Sequence, residues 1–276
     1  MVIILEIPLR VHICLVGFEV ERISKAALER KADRVYLITK HKDDKGRVFF
    51  DKNKEILEKH NVEVIGKFID DIVLEDILKV TKEIIKNENT ENTIYINISS
   101  GSTLAAISGM LCSMMYSTDK RIIPYYVKAK DYLDKTKNED KEKITEIMGK
   151  NYGGTPPITS GILAISDILT FPMSLPSNEL LIFLKEIQKE KDGISISALI
   201  EFSKTDDNIA KFRELTKRND IKESSQKTKQ SEYAWINQNI LKKLRDEWEL
   251  ITIEKRGRNH FVKINEKGEK MLKYLC

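Results

Sequence analysis

Short apolar runs alternate with amphipathic stretches up to about residue 127, and this alternation constrains the fold more than any other feature of the chain. Residues 11–16, 34–38, 62–65, 94–98 and 122–127 read as buried strands, and residues 19–31, 51–60, 71–86 and 102–116 read as the helices between them. Strands that alternate with helices imply right-handed crossovers and a parallel sheet covered on both faces. The expected fold class is therefore α/β, a Rossmann-like doubly wound parallel sheet.

The pattern changes farther on. Residues 131–143 are dense in charge and read as an exposed excursion, and residues 151–160, NYGGTPPITS, carry turn residues that do not fit a helix interior. Residues 161–169 read as a late strand or hairpin at the sheet edge. Pro172 and Pro176 bracket a linker, with Ser177 or Asn178 placed to cap the next helix. The expected domains are 1–170 and 177–276. The second reads as helices over 179–190, 195–202 and 232–247, strands over 248–254 and 260–265, and a closing helix over 267–275, the layout of a smaller winged helix-turn-helix. The stretch 204–230 is longer than the usual turn and very basic, with Lys211, Arg213, Lys217, Arg218, Lys222, Lys227 and Lys229. An inserted helix is expected there, around 209–215.

Charge supports this division. The 47 Lys and Arg nearly balance the 43 Asp and Glu, yet the whole net excess of +4 falls from Phe171 onward, where a polyanion would be met. Cys14, Cys112 and Cys276 are scattered, without disulfide or zinc spacing, so a reducing, cytoplasmic setting and no metal are expected. The apolar run at residues 1–5 is too short for a secretory leader. Residues 93–118 carry no charge but include Asn97 and six serines, and they divide into a strand-like and a helix-like half. That is a buried element pair of a globular domain, not a membrane span.

Ligands of open parallel sheets bind beyond the carboxyl ends of the strands, where strand order reverses. After the first strand comes Gly17-Phe18-Glu19, which lacks the GxGxxG dinucleotide fingerprint. After the fourth comes Asn97-Ile98-Ser99-Ser100-Gly101-Ser102-Thr103, which gathers hydroxyls and backbone N–H groups at a helix N-terminus, a way of holding phosphate without a metal. The alternative is local: Ser102 caps the helix and Gly101 makes the turn. Tyr125 and Tyr126 point to opposite faces of one strand, so at least one belongs to the core while the other can stack on a base. His12 reads as a packed, hydrogen-bonded histidine. His41 and Lys45 read as solvated loop residues, and Trp235 and Trp248 as packing residues.

The VGFE turn, the NISSGST run, the PYYV strand at 124–127 and the winged helix that follows, in this order, resemble the archaeal regulators that join a CRISPR-associated Rossmann fold (CARF) to a winged helix. The resemblance covers nearly the whole chain. It implies a two-fold homodimer of sensor domains that binds a cyclic oligoadenylate, or a related nucleotide-like effector, across the dimer. By position the binding residues are Gly17, Phe18, Glu19, Asn97, Ser99, Ser100, Gly101, Ser102 and Thr103. In the family pattern the second loop reads Asn-x-Ser/Thr-Gly-Gly-Thr followed by a basic residue. Here Ser100 replaces the first glycine and Thr103 stands where Lys or Arg is frequent, which removes a direct phosphate partner.

In the second domain the polar side of the 232–247 helix carries Gln238, Asn239, Lys242 and Lys243, amides suited to adenine edges and lysines suited to phosphates. The hairpin tip adds Lys255, Arg256 and Arg258, a cationic wing for the minor groove or the backbone. The resulting expectation is a ligand-responsive transcriptional regulator that binds double-stranded DNA, with no cofactor beyond its effector. Two alternatives stand beside it: an enzyme that cleaves cyclic oligoadenylate or nucleic acid, for which no clustered carboxylates or Ser/His/Asp order is found, and a protein-docking use of the winged helix.

Overall fold

In the computed structural model the two sequence patterns form two units, Met1–Ser174 and Leu175–Cys276. The structure describes residues 7–40, 46–118, 121–132, 156–216 and 225–275. Outside them lie residues 1–5, His41, Lys45, positions 133–143 of the charged excursion, positions 151–155 of the turn-rich stretch, Lys217, Arg218, Lys222 and Cys276, together with the side chains of Lys227 and Lys229.

The first unit is built as β1 (Arg10–Leu15), α1 (Ser24–Glu29), β2 (Arg34–Lys40), α2 (Arg47–Lys59), β3 (Glu63–Ile69), α3 (Leu74–Asn87), β4 (Thr93–Asn97), α4 (Thr103–Met115), β5 (Ile122–Tyr132) and β6 (Thr159–Asp167). The sheet order is β3-β2-β1-β4-β5-β6, with β6 antiparallel to β5 and the other pairs parallel. Chain order thus reverses between β1 and β4. Every residue of β1 after Arg10 is buried, as a central strand covered on both faces requires. On one face α1 and α2 close a core around Ile23, Ala27, Leu37, Phe49 and Leu57. On the other, a Cβ on Gly109 of α4 would meet the side chains of Ile96 and Ile98 at 3.1 and 3.0 Å, so this helix lies close on β4.

Two details depart from the periodicity reading. The helix expected from Glu19 is α-helical only from Ser24 to Glu29, and its lead-in is a turn in which the Val20 carbonyl accepts the Ile23 and Ser24 N–H groups: a long-range partner braces it, the Asn53 amide donating to the Glu19 carbonyl at 2.9 Å and accepting the Ser24 N–H at 3.1 Å. Asn53 of α2 thereby does the work of a local N-cap. The fifth strand runs on to Tyr132, five residues past its apolar run. The late strand expected at the sheet edge is present as β6, which runs antiparallel to β5.

The second unit runs α5 (Asn178–Lys189), β7 (Ile194–Ser195), α6 (Ile196–Thr205), α7 (Asp207–Thr216), α8 (Ser225–Ile236), β8 (Ile251–Arg256), β9 (Asn259–Ile264) and α9 (Glu266–Leu275). The inserted helix is α7. Helix α8 starts seven residues before the expected boundary and continues through two π-helical stretches, Asn237–Leu241 and Lys243–Glu247. Ile236, Ile240, Leu241 and Leu244 on this element are fully buried, each contributing about 1.5–3 kcal/mol of burial. A third short strand, β7, joins the hairpin to give the order β7-β9-β8.

Candidate effector crevice and nucleic-acid interface

The loops after β1 and β4 meet where the strand order reverses. A Cβ on Gly17 would stand 2.8 Å from the Gly101 Cα and 3.0 Å from its nitrogen, so only glycine lets these two backbones touch. Gly101 has φ +83, in the left-handed region. The local alternative for this loop is realised: Ser102 is the N-cap of α4, its Oγ accepting the Ala105 N–H at 3.2 Å, and Gly101 makes the turn. Capping leaves Ser102 and Thr103 exposed beside the first turn, with Gly17, Phe18, Ser99 and Gly101 half-buried.

Three expected binding residues are buried. Asn97 acts as a brace: its amide donates to the Arg22 carbonyl at 2.8 Å, and its Oδ1 accepts the Ser99 N–H at 2.9 Å. Glu19 is ion-paired to Arg22 at 2.6 Å, and burial pushes its carboxyl above the usual carboxylate range against the pull of that arginine. Its Oε2 and the Oγ of Ser100 are buried with no hydrogen-bond partner among the described residues. The Phe18 ring turns into the α1–α2 core, edge to face with Phe49 at 5.5 Å.

Sequence reasoning missed Arg22. It lies four residues beyond Phe18, donates from Nε to the Val127 carbonyl at 2.9 Å, and sets its guanidinium 5.4 Å from the Tyr126 ring centre. One arginine thus ties both loops to β5, through contacts that span 75 and 105 residues of chain. The two tyrosines divide as strand geometry demands: Tyr125 is fully buried and Tyr126 is 38% exposed. His12 is packed and hydrogen-bonded, its Nδ1 3.0 Å from the Tyr125 hydroxyl, and burial followed by the nearby Arg30 charge lowers its pKa to about 3.

In the second unit Gln238 and Lys242 are exposed four residues apart along the helix. Lys243 is half-buried, and the half-buried Asn239 spends its amide on the Trp235 carbonyl at 2.9 Å, which leaves it less free to read a base. The helix is braced from below by Arg213, which donates to Ser203 Oγ at 2.8 Å and to Glu232 at 3.1 Å and stacks over Trp235. Arg213 is therefore a buried structural cation and not part of a basic surface. Trp235 and Trp248 pack against the core.

The hairpin closes on a two-residue turn, Gly257-Arg258, with Gly257 at φ +62 as a type II′ turn requires. Lys255, Arg256 and Arg258 are all exposed. Arg256 is held by Glu254 at 2.9 Å and lies over the Phe261 ring, whereas Lys255 and Arg258 have no ion-pair partner among the described residues. Among those residues no group of His, Cys, Asp and Glu could hold a metal, and no helix is long and apolar enough to cross a membrane.

Comparison with known proteins matches two separate stretches of the chain. Residues 10–132 match the family described as HFX_2341_N-like, N-terminal, and residues 179–275 match the DUF6293 C-terminal winged helix domain. The chain is 33% identical, over 96% of both sequences, to the uncharacterized protein MJ1513 of Methanocaldococcus jannaschii. Among solved structures it is similar to Enterococcus italicus Csm6 bound to cyclic hexa-2′-fluoro-hexa-dAMP, at a TM-score of 0.39 and 16% identity over 75% of this chain and 53% of that one. It is also similar to Sulfobacillus thermosulfidooxidans Can2 in complex with cyclic tetra-adenylate, at a TM-score of 0.36 and 11% identity over 95% of this chain and 63% of that one. The chain thus spans between about half and just under two thirds of the length of these solved chains.

Proposed function

Because the chain belongs to the family of Methanocaldococcus jannaschii MJ1513, with a Rossmann-like N-terminal domain and a DUF6293 winged helix, we propose that it is a ligand-responsive DNA-binding regulator. The observation that carries this reading is the wing. Lys255 and Arg258 stand exposed and without an ion-pair partner among the described residues, beside a helix that presents Gln238 and Lys242. Cations held apart from carboxylates meet DNA phosphates at low desolvation cost, and the helix beside them would enter the major groove.

The sensor half would take a nucleotide-like effector, a cyclic oligoadenylate being the first candidate, at the paired loops of Gly17 and Gly101. Ser102 and Thr103 would offer hydroxyls and backbone N–H groups at the start of α4. Two such sensors would pair as a homodimer, a reading supported by the charge-free α4, where Leu104 and Ile107 are 40% and 45% exposed. Effector binding would then shift the spacing of two winged helices by as much as it favours one arrangement over the other.

The test is binding of the purified protein to fragments of its own promoter region at two salt concentrations, with and without cyclic tetra-adenylate. Selective, salt-sensitive binding that moves with the nucleotide is the expected result. Selective binding that ignores the nucleotide rejects this effector, and no selective binding in either condition overturns the regulator.

A further inference from the structure

Strand β5 outruns the sheet it belongs to. Its pairing with β4 ends at Asn97 opposite Tyr125, and Tyr126 through Tyr132 continue past that edge, about 20 Å at the ordinary strand rise, with β6 as their one strand partner among the described residues and with Val127 packed on Ala26 of α1. The two strands form an arm over the carboxyl edge where the loops of Gly17 and Gly101 meet. Three contacts hold it there. Arg22 donates to the Val127 carbonyl, the Ile158 N–H donates to the Phe18 carbonyl at 3.0 Å, and the Glu21 carboxylate accepts the Gly161 N–H.

The two faces of the arm differ in kind. Val127 and Ala129 are buried, while Tyr126, Lys128 and Lys130 are exposed at the two-residue repeat, about 7 Å apart. The register sets Ala164 opposite Lys128, and Ile162 and Ser160 opposite the flanking Ala129 and Asp131, so no carboxylate of β6 is registered against either lysine. Neither lysine is in an ion pair among the described residues. The stem of Lys130 lies along Gly161, whose φ of +65 and missing side chain leave it room.

We propose that this arm is the cationic and base-stacking wall of the effector site, with Lys128 and Lys130 meeting phosphates and the Tyr126 ring meeting a base. The proposal rests on the nucleotide-effector reading and deepens it. It explains how the site works without a cation at position 103: the positive charge comes from the arm above the loops instead of from the first turn of α4. Two lysines one repeat apart favour an oligonucleotide with successive phosphates over a mononucleotide.

The experiment is calorimetric titration of the full-length protein with cyclic tetra-adenylate, cyclic hexa-adenylate and AMP at fixed ionic strength. The variants are K128Q/K130Q, Y126A, Y126F and, as a remote surface control, K79Q, each checked for an unchanged melting curve. Each lost charge-assisted contact is expected to weaken cyclic oligoadenylate binding about tenfold, with Y126A weakened, Y126F and K79Q close to the parent, and AMP bound far more weakly. If a cyclic oligoadenylate binds and the lysine and Y126A variants bind it as the parent does, the arm is refuted and the nucleotide reading stands. If the parent binds neither cyclic probe, that reading falls and takes the arm with it.

Discussion

Gly17 and Gly101 face one another with no room for a methyl group between them: a Cβ on Gly17 would stand 2.8 Å from the Gly101 Cα. The contact joins the loops of two parallel strands at the one place where strand order reverses, so it fixes the floor of the crevice. Gly101 is further constrained, since its own Cβ would meet Leu15 at 2.8 Å and Ala105 at 3.1 Å while its φ is +83. G101A is expected to lower stability by about 1–3 kcal/mol, and G17A, whose clash is with backbone, by a similar amount. Urea unfolding of the first unit reads this directly, and unchanged midpoints would mean that the loops separate freely in solution.

His12 makes the sensor unit sensitive to acid. Its folded pKa of about 3 lies below the ordinary 6.5, so between those values the unfolded chain binds a proton that the folded chain does not. The contribution of this group should therefore be flat above pH 6.5 and fall as pH drops below it, by about 1.4 kcal/mol per pH unit. The double variant H12F/Y125F removes the imidazole together with the hydroxyl that faces it, so neither side of that contact is stranded. Hydrogen exchange of β1 core amides from pH 7 to pH 4 should lose this slope in the double variant. A slope of equal size in parent and variant would assign it to other groups.

How far these features could be read from sequence depended on the range of the contact behind each. The strands β1 to β5 and helices α1 to α4 follow from periodicity because their buried faces are local patterns. The overrun of β5 did not follow, since Lys128 and Lys130 end the apolar run while Val127 and Ala129 carry the buried face onward. Asn97 was recognisable as a loop residue, but its partner, the Arg22 carbonyl, lies 75 positions away in sequence. Arg213 looked like one more cation in a basic stretch. Nothing local in that stretch reveals Ser203 and Glu232 waiting beneath it.

The Arg213–Glu232 pair should set the stability of the winged helix. Burial alone would raise the Glu232 carboxyl, but hydrogen bonds and charge from Lys204 and Arg213 outweigh it and hold it below its ordinary 4.5. Its contribution is thus complete above pH 4.5 and is lost as pH falls further. R213M leaves Glu232 with Lys204 alone and Ser203 without its donor, at an expected cost of about 2–3 kcal/mol. Both tryptophans of the chain, Trp235 and Trp248, lie in this unit, so tryptophan fluorescence follows its unfolding alone. E232Q should remove the part of the acid dependence below pH 4.5, and a variant that keeps the full dependence would place it elsewhere.

The wing supplies the last prediction, because its cations are not equivalent. Lys255 and Arg258 have no ion-pair partner among the described residues, while Arg256 is held by Glu254 at 2.9 Å and rests over Phe261. Each phosphate neutralised in duplex DNA adds about 0.9 to the slope of log affinity against log salt. K255Q and R258Q should each lower that slope by about 0.9 per wing, and R256Q by less, since its charge is already shared. E254Q should act in the opposite sense, releasing Arg256 and raising both affinity at low salt and the slope. Filter binding or fluorescence anisotropy on one duplex, from 50 to 300 mM salt, measures all four. Equal losses for all three cations would show that Glu254 gives up Arg256 on binding, whereas slopes unchanged by any substitution would remove the wing from the DNA interface and leave protein docking as its use.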